Sequence, residues 1–316
     1  MEYIILIAAL VAVVLGADNL VVGSAAIAKR FGISDFVIGA IIVGIGTSFP
    51  ELIVSSIGAF KGNVDVAIGN VVGSNIFNVL GILGLTAMIH PVIVKRENMR
   101  FELPFCIAIS ILTILLAFNF FNGSPVTIDR IDGLILLVVF ALFIYISFVR
   151  DRKNGTAATS TEEDKPQNIW ASVLRTLGGL GVLIVGCDYF VDAAVAIATE
   201  WGVNEAFISI TLIACGTSMP ELAASAAAAA KRNTDLALGN IVGSNIFNLS
   251  FILGVSSQIN ALAGGGITFV DYAVMIGAAV LLLICALNKK ISRLEGAIMF
   301  AAFVAYNIYL ISTQTL

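Results

Sequence analysis

Long apolar runs, separated by short polar segments, dominate the pattern along the chain. Each run is long enough to form a helix that crosses the hydrocarbon core of a bilayer, which takes about 20 residues. Ten such helices are predicted, at residues 3–28, 37–60, 66–89, 103–120, 129–149, 170–198, 206–230, 237–259, 271–287 and 293–312. The pattern therefore predicts an all-α polytopic membrane protein with ten transmembrane helices.

A single long polar segment interrupts this pattern. Residues 150–168 are rich in Thr, Ser, Glu, Asp and Lys, a composition typical of a flexible linker. Five predicted helices precede it in residues 1–149, and five follow it in residues 169–316. The chain is thus predicted to consist of two five-helix units joined by this linker.

The two units repeat the same sequence at an offset of 170 residues. Gly46-Thr-Ser-Phe-Pro-Glu51 returns as Gly216-Thr-Ser-Met-Pro-Glu221, and residues 69–78 return as residues 239–248. Between positions 46 and 78, 21 of 33 residues are identical to their counterparts, and many of these are Gly or polar residues. An internal duplication explains the match. Because each copy crosses the membrane an odd number of times, the two five-helix repeats are predicted to be inverted.

Lysine and arginine residues are unevenly distributed over the predicted loops. With both termini outside, 15 of the 17 basic residues fall in inside loops or in the linker, and only Lys61 and Arg130 fall outside. Such an excess of positive charge marks the cytoplasmic side of a membrane protein. The expected location is the cell membrane, with the N and C termini outside and residues 150–168 in the cytoplasm.

Composition supports a membrane protein and excludes several classes of function. Apolar residues make up 59% of the chain and charged residues only 12%, about half the share in soluble domains. The net charge of -4 argues against a nucleic-acid partner, and the four cysteines and the single His90 provide no transition-metal ligand set. The phosphate-binding loop of a nucleotide-driven pump does not occur. No cofactor and no obligate protein partner are expected.

Each repeat carries two polar clusters inside its predicted helices. In the first cluster, Pro50 interrupts the backbone hydrogen bonds, and we expect it to leave the carbonyl of Gly44 free to bind a ligand. Glu51 lies four residues after Thr47, so the two side chains share one helix face. In the second cluster Ser74 and Asn78 are also four residues apart. The second repeat duplicates these positions as Ala214, Thr217, Glu221, Ser244 and Asn248.

Glycine and aspartate also recur in the two repeats. The segments 69–73 and 239–243 each have Gly at both ends, a pattern that allows two helices to approach closely. Asp18 and Asp188 lie near the middle of the first and sixth predicted helices. We expect each aspartate to bond to a neighbouring helix or to serve an accessory role in a cavity.

The polar clusters together form a set of oxygen ligands: two carboxylates, several hydroxyls, amide oxygens and backbone carbonyls. Hard cations such as Ca2+ and Na+ prefer oxygen, and Ca2+ takes about 6–8 of them. Two carboxylates neutralise one Ca2+, and several Na+ ions in the same site would compete with it. Competition for one site, combined with alternating access, produces exchange of the two ions.

These motifs resemble the two α-repeats of the cation/Ca2+ exchanger superfamily, in particular the prokaryotic sodium/calcium exchangers. The matching segments are 46–51 with 69–75, and 216–221 with 239–245. The resemblance implies that predicted helices two, three, seven and eight form the core, and that helices one and six slide across it. It also implies that Glu51 and Glu221 bridge the ions. Further oxygens are implied at Thr47, Ser48, Thr217, Ser218, Ser74, Ser244, Gly44 and Ala214. Many members of this superfamily carry Asp at the position of Asn248, and K+ co-transport in its eukaryotic branch relies on an acidic residue there. The resemblance therefore does not imply K+ co-transport for this chain.

Three classes of function remain in view at this stage. An electrogenic Na+/Ca2+ antiporter is favoured, with Ca2+, Na+ and membrane lipid as its only partners. A Ca2+/H+ antiporter is the alternative. A passive cation channel or a membrane aspartyl protease is a distant third. The protease is disfavoured because no Gly-x-Gly-Asp sequence surrounds Asp18 or Asp188.

Overall fold

Helices make up most of the computed structural model, which describes residues 1–118, 127–154, 168–202, 214–263 and 267–314. The α-helices are α1 Glu2–Phe31, α2 Asp35–Ile38, α3 Gly44–Thr47, α4 Phe49–Phe60, α5 Val64–Ile76, α6 Gly84–Ile89, α7 Arg96–Arg100, α8 Glu102–Phe118, α9 Arg130–Asn154, α10 Ile169–Glu200, α11 Ala214–Gly216, α12 Met219–Ala230, α13 Thr234–Ile246, α14 Leu253–Ile259, α15 Phe269–Ala286 and α16 Arg293–Gln314. Wider π-helical turns occur at Gly39–Val43, Phe77–Leu83 and Phe247–Ile252.

Eight helices of the described ranges are long and apolar enough to cross a membrane, and the bent pair Asp35–Thr47 and Phe49–Phe60 makes a ninth candidate. Nine of the ten predicted spans coincide with these helices. The remaining predicted span, 206–230, is described only from residue 214 and lies partly outside the described residues. Leu134, Val138 and Leu142, spaced four apart on α9, are exposed, as expected of a face turned to lipid. The chain is a mostly helical, multi-pass membrane protein.

The most buried spans lie at the centre of the molecule. In the segment Thr234–Ile259, 94% of an apolar stretch of 18 residues is buried. The corresponding share is 78% in Val64–Ile89 and only 11% in Arg293–Ser312. Both central segments carry a duplicated polar motif. The polar residues are therefore placed away from lipid, where other protein groups can contact them.

The chain breaks its second span at Ser48. The helices on either side meet at 47°, and Pro50 stands at the start of the second one, where its missing N–H needs no partner. Ser218 and Pro220 occupy the same places before and inside α12. Each motif therefore directs a new helix N-terminus into the protein interior.

Two of the three π-helical turns in the described residues occur at corresponding places in the two repeats. Phe77–Leu83 follows α5 and Phe247–Ile252 follows α13, so Asn78 and Asn248 each stand second in such a turn. Single π turns inside α-helices occur frequently at functional sites, because one inserted residue redirects the side chains that follow. Ile89 and Ile259 end the two spans.

The long helices α1 and α10 pack directly against each other through glycine. A Cβ atom added to Gly16 would lie 2.6 Å from the backbone nitrogen of Leu183, and one added to Gly179 would lie 2.6 Å from that of Leu20. Asp18 of α1 forms an ion pair of 2.6 Å with Lys231, which follows α12. We expect Asp18 to bond to a neighbouring helix, and its partner Lys231 instead lies in the turn after α12, whereas Asp188 makes no ion pair in the described residues.

Close helix approach is confirmed in the second repeat. A Cβ on Gly239 or Gly243 would lie 2.2 Å from the carbonyl oxygen of Phe36 or Ala40, respectively. The backbones therefore touch where these glycines stand. The segment of the second repeat equivalent to residues 36–40 is 206–210, which lies outside the described residues, so the role of residues 69–73 stays a prediction.

Two short antiparallel strand pairs join loops that are distant in sequence. Val92–Ile93 pairs with Lys290–Ile291, and Thr127–Ile128 pairs with Leu262–Ala263. The helix that ends the first repeat continues to Asn154, past the predicted start of the linker at residue 150. Residues 155–167 of the predicted linker lie outside the described residues.

Candidate cation-binding site

Two buried glutamates form the centre of the candidate site. Glu51 lies in the first turn of α4 and Glu221 in the first turn of α12, each directly after a proline that is the second residue of its helix. Both side chains are 0% exposed. The partial positive charge of a helix N-terminus stabilises an anionic side chain in this position. The helix break thus places each carboxylate where a negative charge is best tolerated inside the protein.

The serine of each motif binds the glutamate of the other repeat. Ser48 donates its hydroxyl hydrogen to Oε1 of Glu221 at 2.7 Å, and Ser218 donates to Oε1 of Glu51 at 2.7 Å. The Ser74 hydroxyl joins this group, since its Oγ lies 3.0 Å from Oγ of Ser218 and 3.5 Å from Oε1 of Glu51. These contacts bring both carboxylates into one site between the repeats.

The second oxygen of each carboxylate lacks a hydrogen-bond partner among the described residues. Oε2 of Glu51 and Oε2 of Glu221 are both buried in this state. Two ion pairs within the described residues, Lys95 with Asp235 and Lys231 with Asp18, involve neither glutamate. An ionised carboxylate buried without countercharge is strongly unfavourable. A bound cation would supply the missing charge and the missing contacts.

The threonines are held by two asparagines to which the sequence analysis assigned no role. Asn240 donates to the backbone carbonyl of Glu221 at 3.2 Å and to the Ser225 hydroxyl at 2.8 Å, and its Oδ1 accepts from Thr47 at 3.2 Å. The corresponding bonds of Asn70 go to the Glu51 carbonyl at 3.1 Å, to Ser55 at 2.9 Å and to Thr217 at 3.3 Å. Both asparagines belong to the duplicated segment, so their recurrence was the available signal.

The amide oxygens of the second cluster are also unpaired. Oδ1 of Asn78 and Oδ1 of Asn248 are buried and make no hydrogen bond within the part of the chain that the structure describes. Ser244, on the same helix as the second glycine pair, donates to the carbonyl oxygen of Gly44 at 3.2 Å. A neutral oxygen that is buried and unpaired costs about 1–3 kcal/mol. A bound ligand that contacts these two oxygens would therefore remove this cost, as it would for the carboxylates.

The expectation that Pro50 leaves the Gly44 carbonyl free differs from the structure. That carbonyl accepts hydrogen bonds from the Ser48 N–H and from the Ser244 hydroxyl, each at 3.2 Å. In an α-helix the N–H of a residue bonds to the carbonyl four residues earlier, so the carbonyl that Pro50 cannot serve is that of Gly46. Ala214 begins the short helix α11, and its ligand role stays a prediction.

The described residues contain no group of three or more His, Cys, Asp and Glu side chains that could hold a metal ion. Two carboxylates and a shell of neutral oxygens are therefore what the site offers. Such a donor set suits a hard cation that binds reversibly, because hydroxyl and amide oxygens are weak ligands compared with carboxylates. A buried donor set of this kind in a multi-pass helical membrane protein is typical of a membrane transporter for cations.

Comparison with known proteins identifies the family. The family model described as sodium/calcium exchanger protein matches residues 1–149 and 171–312. The chain belongs to the sodium/calcium exchanger family, which is a family of transporters. Two relatives align with this chain over nearly their whole length. The sodium/calcium exchanger MaX1 of Methanosarcina acetivorans is 30% identical, and the alignment covers 98% of each chain. The inner membrane protein YrbG of Escherichia coli is 33% identical, and the alignment covers 96% of this chain and 94% of YrbG.

A solved structure gives the same result. The sodium-calcium exchanger NCX_Mj, soaked with 10 mM Na+ and zero Ca2+, superposes with a TM-score of 0.83 at 31% identity, over 96% of this chain and 97% of the other. The match extends over both repeats, so the two chains share the whole architecture rather than one motif. The family resemblance seen in the sequence is confirmed.

Proposed function

We propose that this protein is a secondary antiporter that exchanges Na+ for Ca2+ by alternating access, and that the exchange is electrogenic. The observation that carries the proposal is the pair of fully buried carboxylates, each with one oxygen held by the opposite repeat and the other oxygen unpaired. The relatives support it, since NCX_Mj is named a sodium-calcium exchanger and was soaked with Na+, Ca2+ and Sr2+.

The proposed ligands are the oxygens that meet between the repeats. Glu51 and Glu221 supply the negative charge, and Asn78 and Asn248 supply the unpaired amide oxygens. The remaining proposed ligands are the hydroxyls of Thr47, Thr217, Ser48, Ser218, Ser74 and Ser244 and the backbone carbonyl of Ala214. Ca2+ needs about 6–8 oxygens, which this set provides without a resident cofactor.

The charge of the site determines how exchange responds to voltage. Two carboxylates carry a charge of -2, so one Ca2+ leaves the site neutral and three Na+ leave it with one positive charge. Moving one charge through the membrane changes the free energy by about 2.3 kcal/mol per 100 mV. Exchange of three Na+ for one Ca2+ would therefore depend on the membrane potential, whereas a neutral exchange would not.

Transport measurements in proteoliposomes test this proposal. An outward Na+ gradient, with Na+ inside the vesicle, is expected to drive uptake of radiolabelled Ca2+, and a positive potential imposed inside should accelerate it because net positive charge leaves with Na+. Li+ or K+ should replace Na+ poorly. Uptake that follows a pH gradient and ignores Na+ would establish the Ca2+/H+ antiporter instead. Conduction of Ca2+ without any counter-ion gradient would identify a channel.

We further propose ten transmembrane helices arranged as two inverted repeats, residues 1–149 and 169–316, with both termini outside. The contacts between loops support it. Each of the following joins two segments assigned to the same side: Asn233 with Asp35 at 3.1 Å, Lys95 with Asp235 at 2.5 Å, Ser34 with Asp151 at 3.0 Å, Trp201 with Tyr3 at 3.0 Å, Gln258 with Arg130 at 2.9 Å and Asn260 with Ala59 at 3.3 Å.

Cysteine labelling in intact cells tests this topology. In a variant whose four native cysteines are replaced, Thr159→Cys is expected to resist a membrane-impermeant thiol reagent, because residues 150–168 would lie in the cytoplasm. Lys61→Cys should react, since Lys61 stands in an exposed turn assigned to the outside. Labelling of Thr159→Cys from outside would show that the topology is reversed.

Alternating access needs a moving element, and we propose that α1 and α10 move together. Their glycine contacts make them one packed unit. The Asp18 to Lys231 ion pair ties this unit to the turn after α12. Asp188 and Lys61 are the equivalent residues at the 170-residue offset, and they form no ion pair in the described structure. Asp18 therefore links the packed unit of α1 and α10 to the core by an ion pair, whereas Asp188 makes no such link in the described structure.

A further inference from the structure

We infer that Asn245 is a positioning residue, which fixes the side-chain amide of Asn78 so that its oxygen, rather than its NH2 group, faces the ion. The inference rests on the proposed function and concerns the same site. Neither Asn245 nor Asn75 has a role in the ligand set proposed above. Four amides meet between the repeats, and their exposed fractions are 2% for Asn75, 0% for Asn78, 3% for Asn245 and 1% for Asn248.

The directions of the Asn245 and Asn78 amides follow from one backbone carbonyl. Nδ2 of Asn245 donates to the main-chain carbonyl oxygen of Asn75 at 3.4 Å. A carbonyl oxygen only accepts, so this bond turns Oδ1 of Asn245 the other way, and there it accepts a hydrogen bond from Nδ2 of Asn78 at 3.0 Å. Rotating the Asn78 amide by 180° would place two oxygens against each other. The main chain of one repeat thereby sets the amide of the other.

The consequence is that Oδ1 of Asn78 is left buried and without a partner. Such an oxygen is expensive to bury unless a ligand contacts it. A cation would coordinate this oxygen and would be repelled by the NH2 group if the amide were reversed. Asn245 therefore adds no ligand of its own, but it determines whether Asn78 is one.

The second pair of amides is held less firmly. Nδ2 of Asn248 donates to Oδ1 of Asn75 at 3.4 Å, and Nδ2 of Asn75 has no hydrogen-bond partner among the described residues. No main-chain acceptor therefore fixes Asn75 in the way that one fixes Asn245. The inference accordingly applies to Asn245, and Asn75→Ala is expected to change ion binding less than Asn245→Ala does.

A double-mutant cycle on equilibrium binding of radiolabelled Ca2+ to the purified full chain in detergent tests the inference. Asn78→Ala and Asn245→Ala are each expected to weaken binding about 10-fold. The double variant should bind no more weakly than Asn78→Ala alone, because Asn245 acts only through the side chain already removed. If Asn245→Ala does not yield a folded protein, Asn245→Ser takes its place under the same criterion.

Asn240→Ala is the matched control, since Asn240 is buried on the same helix but bonds to Glu221, Ser225 and Thr47 rather than to Asn78. Combined with Asn78→Ala, its effect should add. A purely structural role of Asn245 would likewise give an additive effect with Asn78→Ala, and that result would overturn the inference. If the unsubstituted chain binds no Ca2+, the proposed function fails; if it binds Ca2+ and the effects add, only the positioning role fails.

Discussion

Glu51→Gln and Glu221→Gln are each expected to abolish Ca2+ exchange while the protein still inserts and folds. Either substitution alone would leave a divalent ion in a buried site with half of its countercharge. Removing one partner from a buried charge pair costs about 3–5 kcal/mol, which is a loss of affinity of more than about 100-fold. Ca2+ uptake driven by a Na+ gradient in proteoliposomes measures the effect.

The controls for this experiment come from the same chain. Glu200→Gln removes an equal charge from the exposed end of α10 and should leave exchange unchanged. Ser74→Ala and Ser244→Ala should be milder than either glutamate variant, because each deletes one neutral oxygen among several. Near-normal exchange by Glu51→Gln or Glu221→Gln, at equal amounts of folded protein, would remove the central claim about the site.

Gly243→Ala is expected to destabilise the whole protein rather than the site alone. The added Cβ would lie 2.2 Å from the Ala40 carbonyl oxygen and 2.4 Å from the Ala40 Cα, so the two spans would have to separate. Main-chain atoms cannot move aside as a flexible side chain does. Overpacking of a core typically costs about 1–3 kcal/mol, and a contact with backbone lies at the upper end. The melting temperature in detergent should fall.

Gly277→Ala provides the comparison for this variant. Gly277 is exposed on α15, and no described atom lies within 4 Å of a Cβ built there. Alanine forms helix more readily than glycine, so this substitution should leave the melting temperature unchanged or raise it slightly. A melting temperature for Gly243→Ala equal to that of Gly277→Ala would contradict the close approach of the two spans.

Much of the candidate site could be predicted because its motifs occur twice in the sequence. One copy of Thr47, Pro50 and Glu51 would be an ordinary stretch of polar residues in an apolar helix. Two copies at a constant offset showed that these positions matter, and the odd number of spans in each copy predicted that the copies face each other. The structure places the predicted glutamates and serines in direct contact.

Contacts between the repeats could not be predicted in the same way. Spacing along one helix shows which residues share a face, but not which residue of the other repeat lies opposite. The bonds from Ser48 to Glu221 and from Asn245 to Asn78 are therefore visible only in three dimensions. The Gly44 carbonyl was assigned incorrectly as free, because counting back from Pro50 by four residues leads to Gly46 instead.

The crossed serine to glutamate bonds have a consequence for the origin of the molecule. Neither repeat completes its own carboxylate, since the hydroxyl that binds Glu51 belongs to residue 218 and the hydroxyl that binds Glu221 belongs to residue 48. A single unduplicated copy would have had no finished pocket in isolation. With the inverted repeats proposed above, it could have made one only by meeting an identical chain inserted the opposite way, so the proposed arrangement corresponds to an antiparallel homodimer fused into one polypeptide.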